Sequence, residues 1–154
     1  MPDPGRDSAS LTIAADADRL YDLVTDVAHM GRLSPECTGG SWLGGATGPA
    51  VGARFKGTNK RGLIRWSTKN DVVAAERGKV FSFETEGSGA RWTYAFEPDG
   101  DTTVVTESRE MFKERPAAAK FFSKWLLGGT AEHDQEMVDG MRATLERLRA
   151  LAEG

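Results

Sequence analysis

The chain has 154 residues, 28% of them charged and 39% hydrophobic, and a net charge of −3. That suits one soluble domain with a real core, and the acidic balance argues against a protein that tracks nucleic-acid backbone; no basic patch is prominent. No apolar run is long enough to span a bilayer, and Cys37 is the only cysteine, so neither an internal disulfide nor a Cys/His zinc cluster is expected. A reducing, cytoplasmic setting is the default expectation.

In chain order, "MPDPGRDSAS" reads as a polar lead, and residues 1–7 are taken as flexible ahead of one domain over 8–152. "ASLTIAA" follows as a first strand. Asp16 is placed to cap a helix whose buried face is Ala17, Leu20, Val24 and Val27, and Asp26 to cap a second, ended by Pro35. A short strand around Trp42 lies in a glycine-rich stretch.

Candidate two-residue turns then fall at Arg61-Gly62, Arg77-Gly78, Gly87-Ser88 and Asp99-Gly100. Each fixes a register. Asp99-Gly100 sets Phe96 opposite Thr103, and Gly87-Ser88 sets Phe83 opposite Trp92 and Phe81 opposite Tyr94. Arg77-Gly78 sets Val72 opposite Phe83 and Ala74 opposite Phe81; Arg61-Gly62 sets Phe55 opposite Thr68. All four put Phe55, Trp66, Phe81, Phe83, Trp92, Tyr94 and Phe96 on one face of an antiparallel meander, with Asn59, Asn70, Glu107 and Arg109 among them. The other face is wet and pairs Glu84 with Arg91. A helix over about 130–152, with Met137, Met141 and Leu145 on its apolar stripe, covers the first face. "PAAAKFFSKWLLGG" reads as a separate helix before it, opened by Pro116 and ended by Gly128-Gly129.

"LYDLVTDVAHMGRLSPEC", "GARFKGTNKRGLIRWSTKNDVV", "RGKVFSFET" and "RWTYAFEPDGDTTVVTE" resemble the START-like (SRPBCC) superfamily, in its actinobacterial polyketide cyclase/dehydrase-like branch. The resemblance spans roughly residues 8–152. It implies an α+β helix-grip fold, a curved antiparallel sheet wrapped around a long C-terminal helix with a cavity between them. It also implies a hydrophobic or amphipathic small-molecule ligand. Some members catalyse cyclisation or aromatisation; the family offers no universal catalytic motif to carry across.

Burying Glu107 and Arg109 demands partners, water or a polar ligand group. An aromatic wall with a few polar groups suits a small-molecule pocket. The expected ligand-binding set is therefore Phe55, Asn59, Trp66, Asn70, Phe81, Phe83, Trp92, Tyr94, Glu107, Arg109, Met137 and Met141. Gly140, mid-helix, either leaves room for the ligand or lets strand and helix approach closely. Neither His29 nor His133 forms a triad by spacing; Glu107 and His133 are the weak acid–base candidates for a cyclase/aromatase-like activity. No metal, cofactor, nucleic-acid partner or transmembrane segment is expected. An adaptor that handles lipid or protein through "FFSKWLLGG", and a homodimer, are the remaining alternatives.

Overall fold

The computed structural model describes residues 6–34, 37–111 and 130–154, with side chains from 138 onward in the last stretch. The proposed helix over 116–129, the stop at Pro35, and the side chains of His133 and Met137 therefore lie outside the described residues.

Strand β1 (Arg6–Ile13) leads into helix α1 (Ala17–Thr25) and a 3-10 turn (Val27–Arg32). Then come β2 (Cys37–Leu43), β3 (Arg54–Arg61), β4 (Ile64–Glu76), β5 (Val80–Thr85), β6 (Ala90–Asp99) and β7 (Thr102–Met111). Helix α2 (Thr130–Glu153) closes the chain. The seven strands form one antiparallel sheet in the order β1-β7-β6-β5-β4-β3-β2.

Alternation decides the faces. Phe55, Val72, Phe81, Phe83, Tyr94, Phe96 and Val105 point inward and are buried with Met141, Leu145 and Leu148 of α2 and Leu20, Tyr21 and Val24 of α1. Tyr21 meets Phe81 and Phe96 edge-on at 6.3 and 6.0 Å, and Phe55 meets Phe83 edge-on at 5.0 Å between ring centres. Arg91 lies on the opposite face and donates from Nε and Nη2 to Glu84. At the centre of that face, Ser82 Oγ donates to the Trp92 carbonyl and shares a hydrogen bond with Thr93 Oγ1, so short hydroxyls are sheltered there without an apolar cover.

Three turns differ from the sequence expectation. Arg61 pairs with Ile64 and Asp99 with Thr102, so the loops are Gly62-Leu63 and Gly100-Asp101. Phe55 therefore faces Asn70 rather than Thr68, and Phe96 faces Val105 rather than Thr103. The reason is the backbone. Gly62 and Gly100 take φ of 61° and 62°, and no other residue type has positive φ anywhere among the described residues. Glycine is thus first in each loop, as in a type II′ turn; the expected placement would have forced Arg61 or Asp99 into that region. The third loop has three residues, Arg77 to Lys79, between Glu76 and Val80. A bulge at Val73 absorbs the extra residue, so Val72 still faces Phe83, while Phe81 faces Ala75 instead of Ala74.

Asp16 and Asp26 occupy N-cap positions but neither side chain makes a cap hydrogen bond. Asp26 instead receives His29 Nδ1 at 2.8 Å on the surface. The far end of α2 is fastened to the start of the chain: Glu153 Oε2 accepts the Ala14 N–H at 2.9 Å.

Candidate functional site

The inner face holds two buried ionisable side chains on neighbouring inward positions of β7, Glu107 and Arg109, each only 4% exposed. Register puts Tyr94 directly beside Glu107 and Asp7 directly beside Arg109. Tyr94 Oη donates to Glu107 Oε2 at 2.9 Å. Arg109 Nη2 donates to the Asp7 carboxylate. Asp7 belongs to β1, within the segment expected to be a flexible lead, and it is the partner that the sequence reading missed.

Glu107 Oε1 is buried and has no hydrogen-bond partner among the described residues. Burial pushes the Glu107 carboxyl up to about 8, against the lowering effect of the Tyr94 hydroxyl. At neutral pH the group is therefore largely a neutral acid. With Oε2 accepting from Tyr94, its proton belongs on Oε1, which is then a donor. Burial also raises the Tyr94 phenol well above its usual range, and Glu107 and then Cys37 push the same way.

Cys37 is informative for that reason. It lies on β2, and β3, β4 and β5 separate it from β6 in the sheet. Its register opposite the inward-facing Asn59 puts it on the same face of the sheet as Tyr94. The Cys37 Sγ donates to the Gly39 carbonyl at 3.4 Å, and burial raises the thiol's pKa. Sequence reasoning used Cys37 only to exclude a disulfide and a zinc cluster and to set a reducing default; its cross-strand partner Asn59, seen in the structure, places it on the inner face.

The expected set divides. Phe55, Phe81, Phe83, Tyr94 and Met141 are core, and Trp92 packs on that core while half-buried. Trp66 and Asn59 are half-buried and outside the core cluster. Asn70 is buried and engaged: Nδ2 donates to the Phe55 carbonyl and Thr68 Oγ1, and Oδ1 accepts from Thr85 Oγ1 at 2.7 Å. His29 is on the surface with Asp26 and contributes nothing to this face.

An antiparallel sheet curled around a terminal helix, with a polar pair set into its aromatic concave face, defines a START-like helix-grip protein. The chain belongs to the polyketide cyclase/dehydrase and lipid transport family, which it matches over residues 7–153. No curated protein matches it. Among solved structures it is similar to the polyketide-cyclase-like protein Cgl2372 of Corynebacterium glutamicum, at 29% identity and a TM-score of 0.64, covering 98% of this chain and 93% of that one. A START superfamily protein of Mycobacterium smegmatis shares the fold at 12% identity and a TM-score of 0.73, over 97% of both chains. So does the di-domain aromatase/cyclase StfQ of the steffimycin pathway, at 12% identity and a TM-score of 0.74, over 96% of this chain and 50% of that one. Among the described residues no helix is long and apolar enough to cross a membrane.

Proposed function

We propose that this protein binds a small hydrophobic or amphipathic molecule in a cavity between the curved sheet and α2. One observation carries the reading: a carboxyl group 4% exposed, on an aromatic face, with one oxygen held by Tyr94 and the other without a partner among the described residues. Leaving a buried polar atom unsatisfied costs on the order of 1–3 kcal/mol, so a site that keeps one is suited to a ligand oxygen that completes it. The family description, which includes lipid transport, supports the same class of ligand. Half-buried Trp66 and Trp92 would report binding. Titration with an apolar fluorescent probe is expected to saturate and to quench tryptophan emission, and Glu107→Leu is expected to weaken probes bearing a carbonyl more than pure hydrocarbons. A linear, non-saturating response would remove the proposal.

The second reading is a cyclase/aromatase-like enzyme, favoured by the same carboxyl. A group that titrates near 8 can donate a proton to a substrate carbonyl oxygen at Oε1 and take it back, while Tyr94 fixes Oε2. The two readings separate on Glu107→Gln, which retains shape and hydrogen bonding. It should preserve ligand binding under either, and abolish turnover of a polyketide-like substrate only under the second.

A further inference from the structure

From Cys37 to Asn70 the chain contains no Asp or Glu but carries Arg54, Lys56, Lys60, Arg61, Arg65 and Lys69. The whole chain sums to −3, so everything outside that stretch sums to −9. Along the sequence these cations are scattered among polar and apolar residues, which is why no patch is evident there. The β3–β4 register collects them. Lys56 stands opposite Lys69 and Lys60 opposite Arg65, all four exposed on the outer face. Like charges directly opposite one another in a sheet are destabilising. None of these four has an ion-pair partner among the described residues, whereas Arg54, at the inner end of the hairpin, is neutralised by Asp71 and Glu86. Positive charge therefore accumulates toward the tip.

The tip also projects. Among the described residues, β4 pairs only with β3 before Lys69, whose carbonyl accepts the Glu86 N–H at 2.9 Å, and β3 has no pairing with β2 beyond Asn59. At the apex, after Gly62, stands Leu63, which is 101% exposed. Turn chemistry favours a polar residue there, and a leucine held wholly in water gives the fold nothing.

We infer that the β3–β4 hairpin is a docking arm for an anionic lipid bilayer, with Leu63 entering the interface and Lys56, Lys60, Arg65 and Lys69 lying against the headgroups. The apolar tip decides between polyanions. A phosphate backbone has use for the cations but none for the leucine, whereas an interface rewards both together. This inference does not depend on the proposed cavity.

The test is sedimentation with vesicles of phosphatidylcholine alone and with about a third phosphatidylglycerol. Binding is expected only to the anionic vesicles and is expected to vanish at about 0.5 M salt. Each basic residue near such a surface contributes about a factor of five, so the double variant K60E/R65E should bind at least about thirtyfold more weakly. Leu63→Ser should lose several-fold on vesicles. Both variants alter only exposed side chains, so their thermal melts and their probe titrations should match the wild type. Equal sedimentation with neutral and anionic vesicles, or undiminished binding by K60E/R65E, overturns the inference. So does full binding by Leu63→Ser together with tight capture on heparin, which would make the arm a general polyanion surface.

Discussion

The two ends of the sheet use the same alternation of large apolar and polar residues and come to different ends. On the β1–β7–β6–β5 side, α2 and α1 lie over the inner face, Phe81 and Val105 are fully buried, and both buried ionisable groups have partners on the neighbouring strand. On the β3–β4 side, Ile64, Trp66 and Thr68 occupy the same inward positions yet remain half-exposed. The difference teaches that inward register alone does not make core. A covering element does, and among the described residues the contacts of α2 with the sheet concentrate on β1 and β7.

Truncation should break this comparison first if it is wrong. Phe81→Ala removes a ring packed against Tyr21, Phe55 and Phe83, and is expected to cost about 3–5 kcal/mol. Trp66→Ala, although larger in volume, should cost about 1 kcal/mol or less, because much of that ring never leaves water. Urea unfolding of the two variants measures both. Equal losses would mean that the sheet has one continuous core.

The same contrast explains what could be read from sequence. The set of inward residues was legible because period two survives a slip of two in the pairing, which is the error at both type II′ turns. The pairing itself was not legible, since it depended on which residue of Arg61-Gly62-Leu63 and of Asp99-Gly100-Asp101 takes positive φ. Glu107 and Tyr94 were recognisable as polar groups on an apolar face. Their hydrogen bond was not, because the slipped register had set Tyr94 beside Val105. Asp7 was missed for a different reason: a polar terminal stretch with no hydrophobic run reads as a lead, and only the buried Arg109 gives it a place. Cys37 required the β2–β3 register, which no turn signal in the glycine-rich stretch had fixed.

Asp7 sharpens the comparison from the covered end. Replacing it with Ala takes the carboxylate from a guanidinium that is 4% exposed, and the expected loss is about 3 kcal/mol. An equivalent removal on the open side, Asp71→Ala beside the exposed Arg54, should cost no more than about 1 kcal/mol. If thermal melts place the two together, then Arg109 is not held by β1 in the way the geometry indicates.

Glu107 gives the covered end a pH signature. Its carboxyl titrates near 8 in the folded protein, against a value of 4.5 for an ordinary glutamate. Between those values the native state holds the proton that the unfolded chain has released. The group's contribution to stability is therefore complete below about pH 4.5, falls as pH rises, and levels off above about pH 8. Within that window the slope approaches about 1.4 kcal/mol per pH unit. Glu107→Gln should flatten this part of the curve and gain on the wild type as pH increases, since a neutral amide still accepts from Tyr94. Denaturation midpoints at several pH values would show it. Parallel curves for wild type and variant would return Glu107 to the ionised state, and the donor at Oε1 would be lost with it.

The smallest expected effect lies at Gly140, on the helix that covers the sheet. A mid-helix glycine costs up to about 1 kcal/mol relative to alanine, so a reason for it is wanted. Among the described residues close packing is not that reason: a Cβ at this position meets nothing within 4 Å. The residue is nevertheless half-buried and sits one turn before buried Thr144, on the side of α2 that carries Met141, Leu145 and Leu148. Open space on a helix face that is otherwise packed is what a ligand would need. Gly140→Ala is therefore expected to raise stability by about 0.5–1 kcal/mol and to leave probe affinity nearly unchanged, because one methyl intrudes little. Gly140→Leu should keep the helix and weaken saturable probe binding several-fold, because the longer side chain fills the same space. If Gly140→Leu binds the probe as the wild type does, the glycine marks only a gap in packing, and the case for a ligand above this part of the sheet must rest on Glu107 alone.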